Sequence, residues 1–293
     1  MHDIFFKERF INSMTASAVT SNSIIYIQKF LALLFKLGLL IIFISVLVPL
    51  SPKMPAPGLD PSWAIGLNQA IAQGLSFGKE IIFTLGPYSS IYTKAYHPAT
   101  DLMMVSGSLY LALSYWGCIL LLMRGIKWHW SVALAICFFA MIYARDSLLF
   151  TYPLLAGLVC FKIISQEETG LSNNYQSELL IAILFAPLGL LPLIKGSVLI
   201  LCISILILCV LFFITHKKNL LALICLLSPI ISIIVFWSAS GQSTIHLPQY
   251  IINSVTLASG FTEAMANDGN TGELIYYLVA ALLILLSIAG QKY

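Results

Sequence analysis

The chain has 293 residues, of which 59% are hydrophobic and only 9% charged, against about 25% charged in an ordinary soluble domain. So few charges cannot solvate the surface of a soluble fold of this size, so lipid must be the solvent for most of the chain. The net charge of +3 is therefore no nucleic-acid signal; no nucleic-acid partner is expected, and the basic residues matter for where they fall.

Residues 1–29 are a polar lead, read as a cytoplasmic N-terminal segment. Residues 30–293 read as a single polytopic membrane domain. Its first apolar run, Phe30–Leu50, is long enough to span and suits a retained signal anchor better than a cleaved signal peptide. A span needs roughly 20 apolar residues to cross ~30 Å of hydrocarbon. Seven further stretches qualify: Leu102–Met123, Trp128–Ala144, Ser147–Ser165, Leu179–Ile194, Ser197–Thr215, Leu220–Trp237 and Leu274–Gly290. The predicted fold is an all-α integral membrane protein of about eight transmembrane helices. The fifth span holds Pro187, Gly189 and Pro192, which predicts a kink or a re-entrant segment. Fused to the sixth it would reach roughly 54 Å at 1.5 Å per residue, too long for one crossing, so Lys195-Gly196 is the expected hairpin point.

Between the first two spans lies a long loop, residues 51–100. Pro49, Pro52, Pro55 and Pro57 give it an extended start. Asp60-Pro61 predicts a helix start with Asp60 as the cap. Trp63, Leu67, Ala70 and Ile71 then share one face, and Gly74 closes the helix. Such a tryptophan-bearing amphipathic helix is expected to lie at the membrane interface. The following FGKEIIFT reads as extended, and Gly86-Pro87 as a turn. Connections this long are uncommon unless they carry function.

Lys7, Arg9, Lys29, Arg124, Lys127, Lys162, Lys217, Lys218 and Lys292 fall on one side of the predicted spans. Only Lys53, Lys79, Lys94, Arg145 and Lys195 fall on the other, although it owns the longest loops, 51–100 and 238–273. Positive charge stays inside, so both termini are expected in the cytoplasm of a bacterial inner membrane and the long loops outside. The six cysteines all lie in apolar runs, where they read as small core residues rather than disulfide or zinc partners.

Chemistry-bearing residues collect on the expected outer side: Asp60, Glu80, His97 and Asp101 in the first loop, Arg145-Asp146 between the third and fourth spans, and Lys195 between the fifth and sixth. The middles of the spans carry no acid, as an ion-coupled transporter would usually require. Each candidate also has a plain structural reading. Asp60 and Asp101 suit helix caps, Glu80 pairs with Lys79, Asp146 with Arg145, Lys195 anchors at the interface, and His97 sits in a turn.

The layout resembles the GT-C superfamily of membrane glycosyltransferases. The shared features are a cytoplasmic N-terminus, a first span, a long outer loop opening on an acid and an interfacial helix, and a second acid between spans three and four. Asp60 matches the first acidic position and Asp146 the second. Asp60-Pro61-Ser62-Trp63 and the stretch from Phe77-Gly78 to Gly86-Pro87 resemble uncharacterised bacterial members. An acid adjacent to Asp60 and the WWDYG motif of the oligosaccharyltransferase subunit are absent.

The resemblance implies transfer of a sugar from a polyprenyl-phosphate donor to an envelope acceptor, with membrane lipid as surroundings. It implies catalytic roles for Asp60 and Asp146, a divalent metal at Asp146 as an option, and substrate contacts from Arg145, Lys195, Glu80 and His97. Two other readings stay open at this point. One is a non-enzymatic membrane protein, either a lipid or polysaccharide transporter or an accessory subunit; the other is a truncated, inactive homologue.

Overall fold

The computed structural model describes residues 30–124, 132, 136, 138, 141, 145–168, 174–264 and 269–289. Among them the secondary structure is helical, with three isolated backbone bridges and no strand. In chain order the helices are α1 (Phe30–Leu47), α2 (Leu59–Ala72), α3 (Ser89–Thr93), α4 (Asp101–Leu122), α5 (Arg145–Glu168), α6 (Asn174–Phe185), α7 (Pro187–Ile194), α8 (Val198–Thr215), α9 (Asn219–Ala239), α10 (Leu247–Ala264) and α11 (Thr271–Ala289). Six stretches are long and apolar enough to cross a membrane: α1, α4, α9, α8, Asp146–Ile164 of α5, and Ser177–Ile194 across α6 and α7. They coincide with six of the eight expected spans. The third expected span, Trp128–Ala144, lies almost wholly outside the described residues. The eighth falls on α11, whose described apolar stretch, Thr271–Leu283, is shorter than a span.

The fifth span is broken where its prolines predict. Pro187 has no N–H to donate, so α6 ends at Phe185 and α7 restarts at Pro187. Helix α9 packs along both pieces and supplies hydroxyl donors at the break: Ser228 Oγ to the Ala182 carbonyl at 2.6 Å and Ser232 Oγ to that of Ala186 at 2.5 Å. All eight residues of α7 are buried, so the carbonyls at its end have no water to turn to. Lys195 N–H bonds the Leu191 carbonyl at 3.1 Å. The Tyr250 hydroxyl of α10 donates to Pro192 at 2.7 Å. The amides of Tyr88 and Gly86, from the long loop, donate to Leu193 and Ile194 at 3.0 and 3.2 Å. The loop fits because residue 86 is glycine: a Cβ there would sit 2.2 Å from the Tyr250 hydroxyl and 2.4 Å from the Leu193 carbonyl. The chain then turns at Lys195-Gly196, the expected hairpin point, with Gly196 N–H on the Thr84 carbonyl at 2.9 Å.

Helix α2 ends as its sequence predicts. Gly74 has φ +69, and the bonds Gly74 N–H to Ile71 and Leu75 N–H to Ala70 form a Schellman motif. Its start differs from expectation: Gly58 takes the cap position and the Asp60 side chain makes no cap bond. The Trp63, Leu67, Ala70 and Ile71 face is turned into the protein, where Leu67 and Ala70 join the core.

Within the stretch expected to be extended, residues 76–81 form a tight turn. Glu80 takes the Ser76 N–H at 2.7 Å, and Gly78 N–H closes on Ile81 at 2.8 Å. Gln242, just after α9, clamps this turn by accepting from Phe77 N–H at 2.9 Å and donating to Leu75 at 3.1 Å. The five described cysteines are free and buried.

Tyr250→Phe keeps the ring but leaves the buried Pro192 carbonyl without its donor. A loss of about 1–3 kcal/mol is expected, seen as a lower unfolding temperature of the purified protein at unchanged helical content. An unchanged unfolding temperature would mean the hydroxyl contributes nothing to holding α7.

Candidate functional site

The exit of α1 and the end of the long loop pair through their backbones. Lys53 N–H bonds the Lys94 carbonyl at 2.7 Å and Tyr96 N–H the Lys53 carbonyl at 2.8 Å. Lys94, in the left-handed region at φ 56, terminates α3 and sends its Nζ to the Val46 carbonyl at the end of α1, 2.8 Å away. Asn68 of α2 fastens the same segment by donating to the Ala95 carbonyl at 3.0 Å. These ties hold α2, α3 and the α1 exit around two adjoining cavities. The larger, about 560 Å³, is walled by Lys53, Asp60, Trp63 and Tyr92 with Met54 and Ala56. The smaller, about 210 Å³, lies between Val46, Leu47, Leu148 and Leu149, with Lys94 at its edge. Lys53 and Tyr92 border both.

Asp60 stands in the first turn of α2 with its Oδ1 accepting the Trp63 indole N–H at 3.1 Å. The Trp63 ring in turn leans on Phe83, centroid to centroid 5.6 Å. Oδ2 has no hydrogen-bond partner among the described residues. Nor does the Lys53 ammonium have one, and no carboxylate lies within ion-pair distance of it among them. The carboxylate is thus fixed on one side and open on the other.

Asp146 and Lys195, far apart in sequence, meet at 2.7 Å. The Lys195 side chain is 18% exposed and Asp146 50%. Lys195 Nζ also lies 5.1 Å from the Tyr92 ring centre, within cation–π range. Tyr92 is thus a neighbour both of this pair and of the cavity that holds Asp60. Arg145 opens α5 beside Asp146 in sequence, and its side chain lies outside the described residues. Among the described residues no three His, Cys, Asp or Glu side chains converge, and Asp146 Oδ1 already accepts from Lys195.

Glu80 and His97 line neither cavity. The Glu80 carboxylate accepts the Ser76 N–H, which holds it below the usual glutamate range, with Lys79 and His246 adding smaller effects. His97 Nδ1 accepts from Ala99 N–H at 3.2 Å, so its proton sits on Nε2 and is donated to Gln69 Oε1 at 3.1 Å. It ties α2 to the start of α4. Asp101 lies in the first turn of α4 without a cap bond. Tyr88 donates to the Phe236 carbonyl at 2.9 Å, and burial pushes its phenol up to about 12.

Lys53, Tyr92 and Lys94 are the site residues that sequence reasoning missed. Two of the three lysines of the 51–100 loop line the cavities, and that scarcity was the available signal. Comparison with protein-family models, with curated proteins and with solved structures finds no match for the chain.

The lowered Glu80 fixes the sign of a pH effect. Its contribution to the Ser76–Ile81 turn is fully present above the ordinary glutamate range and is lost as pH falls through the lowered folded value. Amide exchange in this turn, corrected for intrinsic rates, should therefore accelerate on acidification below about pH 4.3. In Glu80→Gln it should be flat over the same range. Identical profiles for the two proteins would remove the carboxylate from the account.

Proposed function

We propose that this chain is a GT-C type glycosyltransferase, carrying a sugar from a polyprenyl-phosphate donor to an acceptor of the cell envelope at the outer membrane face. The observation that supports it is the paired cavity, with a half-open carboxylate and an uncompensated lysine in one chamber and an apolar second chamber alongside. Asp60 Oδ2 takes the proton of the acceptor hydroxyl as general base. The acceptor oxygen then bonds the anomeric carbon while the bond from that carbon to the phosphate oxygen breaks. The phosphate leaves carrying the electron pair, and Lys53 and Lys94 neutralise it. The first isoprene units occupy the chamber between Val46, Leu148 and Leu149. In this reading Lys195, already neutralised by Asp146, positions Tyr92, and Arg145 extends the basic rim.

The same reading takes the protein to span the membrane eight times, with α2 at the outer interface. Helices α4 and α5 run in the same direction. Lys195 meets the start of α5 beside the loop bound to the α7 end, while Lys162, late in α5, donates to the carbonyls of Leu122 and Arg124 at the end of α4. The parallel run of α4 and α5 supports the third span that the sequence reading puts between them. In this reading both termini lie in the cytoplasm.

Two measurements test this. In a background without reactive native cysteines, Gln73→Cys is expected to react with an impermeant thiol reagent added to intact cells, and Lys217→Cys only after lysis. Labelling of residue 217 from outside would invert the orientation. For the chemistry, lipid-linked sugars and envelope glycans are compared by mass spectrometry with and without the protein. Transfer should fall at least ~100-fold in Asp60→Asn and substantially in Lys53→Ala, each at normal membrane abundance. Full transfer by Asp60→Asn would end its role as base.

A further inference from the structure

We propose that the larger chamber binds the acceptor as a carbohydrate ring, laid against Trp63 with its hydroxyls on Asp60 and Lys53. This names the acceptor class of the reaction proposed above and rests on that reading, but it is argued from the chamber wall alone. A pyranose has an apolar face of C–H bonds and a rim of hydroxyls, so it needs a flat aromatic surface with charged groups at its edge. The chamber offers both. Trp63 lines it, and the indole is backed by Phe83 and anchored through its N–H on Asp60. The positive C–H face of a sugar suits the negative face of such a ring.

The polar groups fit the rim. Asp60, whose carboxylate can accept hydroxyl protons, borders the same chamber as Trp63, and so does Lys53, whose ammonium can supply donors to hydroxyl oxygens. The volume of about 560 Å³ is ample for one ring and leaves space for a neighbouring unit. A serine or threonine of a polypeptide would use the carboxylate but would leave the indole without a partner. The single indole–carboxylate bond also presets the geometry: the ring that would contact the sugar face and the carboxylate that would receive its hydroxyl proton are fixed to each other. Trp63 is in this sense a substrate-contacting residue and a positioning residue for Asp60.

The test is ligand-observed NMR saturation transfer on the full chain in nanodiscs. The probes are methyl α-D-mannopyranoside, methyl β-D-glucopyranoside and a serine-containing tripeptide amide. Transfer is expected to the ring C–H protons of at least one pyranoside and not to the peptide. Affinity should drop roughly tenfold in Trp63→Ala, the scale of losing one aromatic contact. Trp63→Phe retains an aromatic face and packing on Phe83, so it should fall less than Trp63→Ala. Asp60→Asn should weaken binding while leaving the Trp63 contact in place. Unfolding temperatures of all variants are measured alongside, and Trp63→Phe carries the comparison if Trp63→Ala does not fold. No saturation of either pyranoside by folded wild-type protein, preference for the peptide, or equal affinity in all Trp63 variants would overturn the assignment. The two proposals fail separately. Sugar-ring binding without any transfer in cells would remove the enzyme and keep the site, whereas transfer to a protein acceptor would keep the enzyme and remove this inference.

Discussion

Everything at the loop end of this bundle depends on how one short helix ends. Helix α7 is eight residues long, wholly buried and started by a proline. A helix end leaves carbonyls that must find donors, and in a buried place water cannot supply them. Three of the last four carbonyls of α7 are satisfied by other segments: two by amides of the long loop and one by the α10 phenol. The two loop bonds would cost free energy if the loop moved away, because the freed carbonyls would stay buried. The 51–100 loop is therefore a structural part of the helical core, bound to it from Thr84 to Tyr88.

That attachment sets the site. Helix α3 follows the anchored segment directly, so fixing Gly86 and Tyr88 fixes Tyr92, about one turn beyond Tyr88. Lys94 then locks the end of α3 onto the end of α1, and Lys53 pairs with the chain beside it. The walls of both cavities come from elements tied to the α7 end or to each other. The Lys195–Asp146 pair contributes in the same sense. Exposed pairs are worth little, but Lys195 emerges from the turn right after α7, and its side chain is mostly covered. It sits against Tyr92 from a backbone position that the capping already determines.

Local signals in the sequence survive in the structure because local physics decides them. Pro187 breaks the helix by lacking a donor, Lys195-Gly196 turns the chain, and Gly74 closes α2 in a left-handed conformation. Two local readings fail because a neighbouring group competes better. Gly58, at φ +128, takes the cap position expected for Asp60. The alternation of residues 77–84 suits a strand, but the Glu80 carboxylate captures the Ser76 N–H and residues 76–81 curl into a turn. What no periodicity shows is the pairing of residues more than forty positions apart. Lys53 with Tyr96, Asp146 with Lys195, and Gln242 with Phe77 all belong to this class. The cavity is made of such pairings, which is why Asp60 was legible as a candidate while Lys53 and Tyr92 were not.

The setting of Asp60 constrains how it can act. It lies in the first turn of α2, where the helix dipole favours an anion, and its Oδ1 accepts from an indole. Both features orient the carboxylate. In the reaction proposed for this site, a group placed in this way contributes by position: it aligns an acceptor hydroxyl and receives its proton as the oxygen bonds. The remaining barrier would then fall on the departing phosphate. For that step the amines nearest the apolar chamber matter most, since charge neutralised away from bulk water is worth more than the same charge at the surface. Lys94 is anchored at the end of α1 and Lys53 is held by no carboxylate among the described residues, so in the proposed reaction one ammonium is preset and the other is available to follow the charge as it moves.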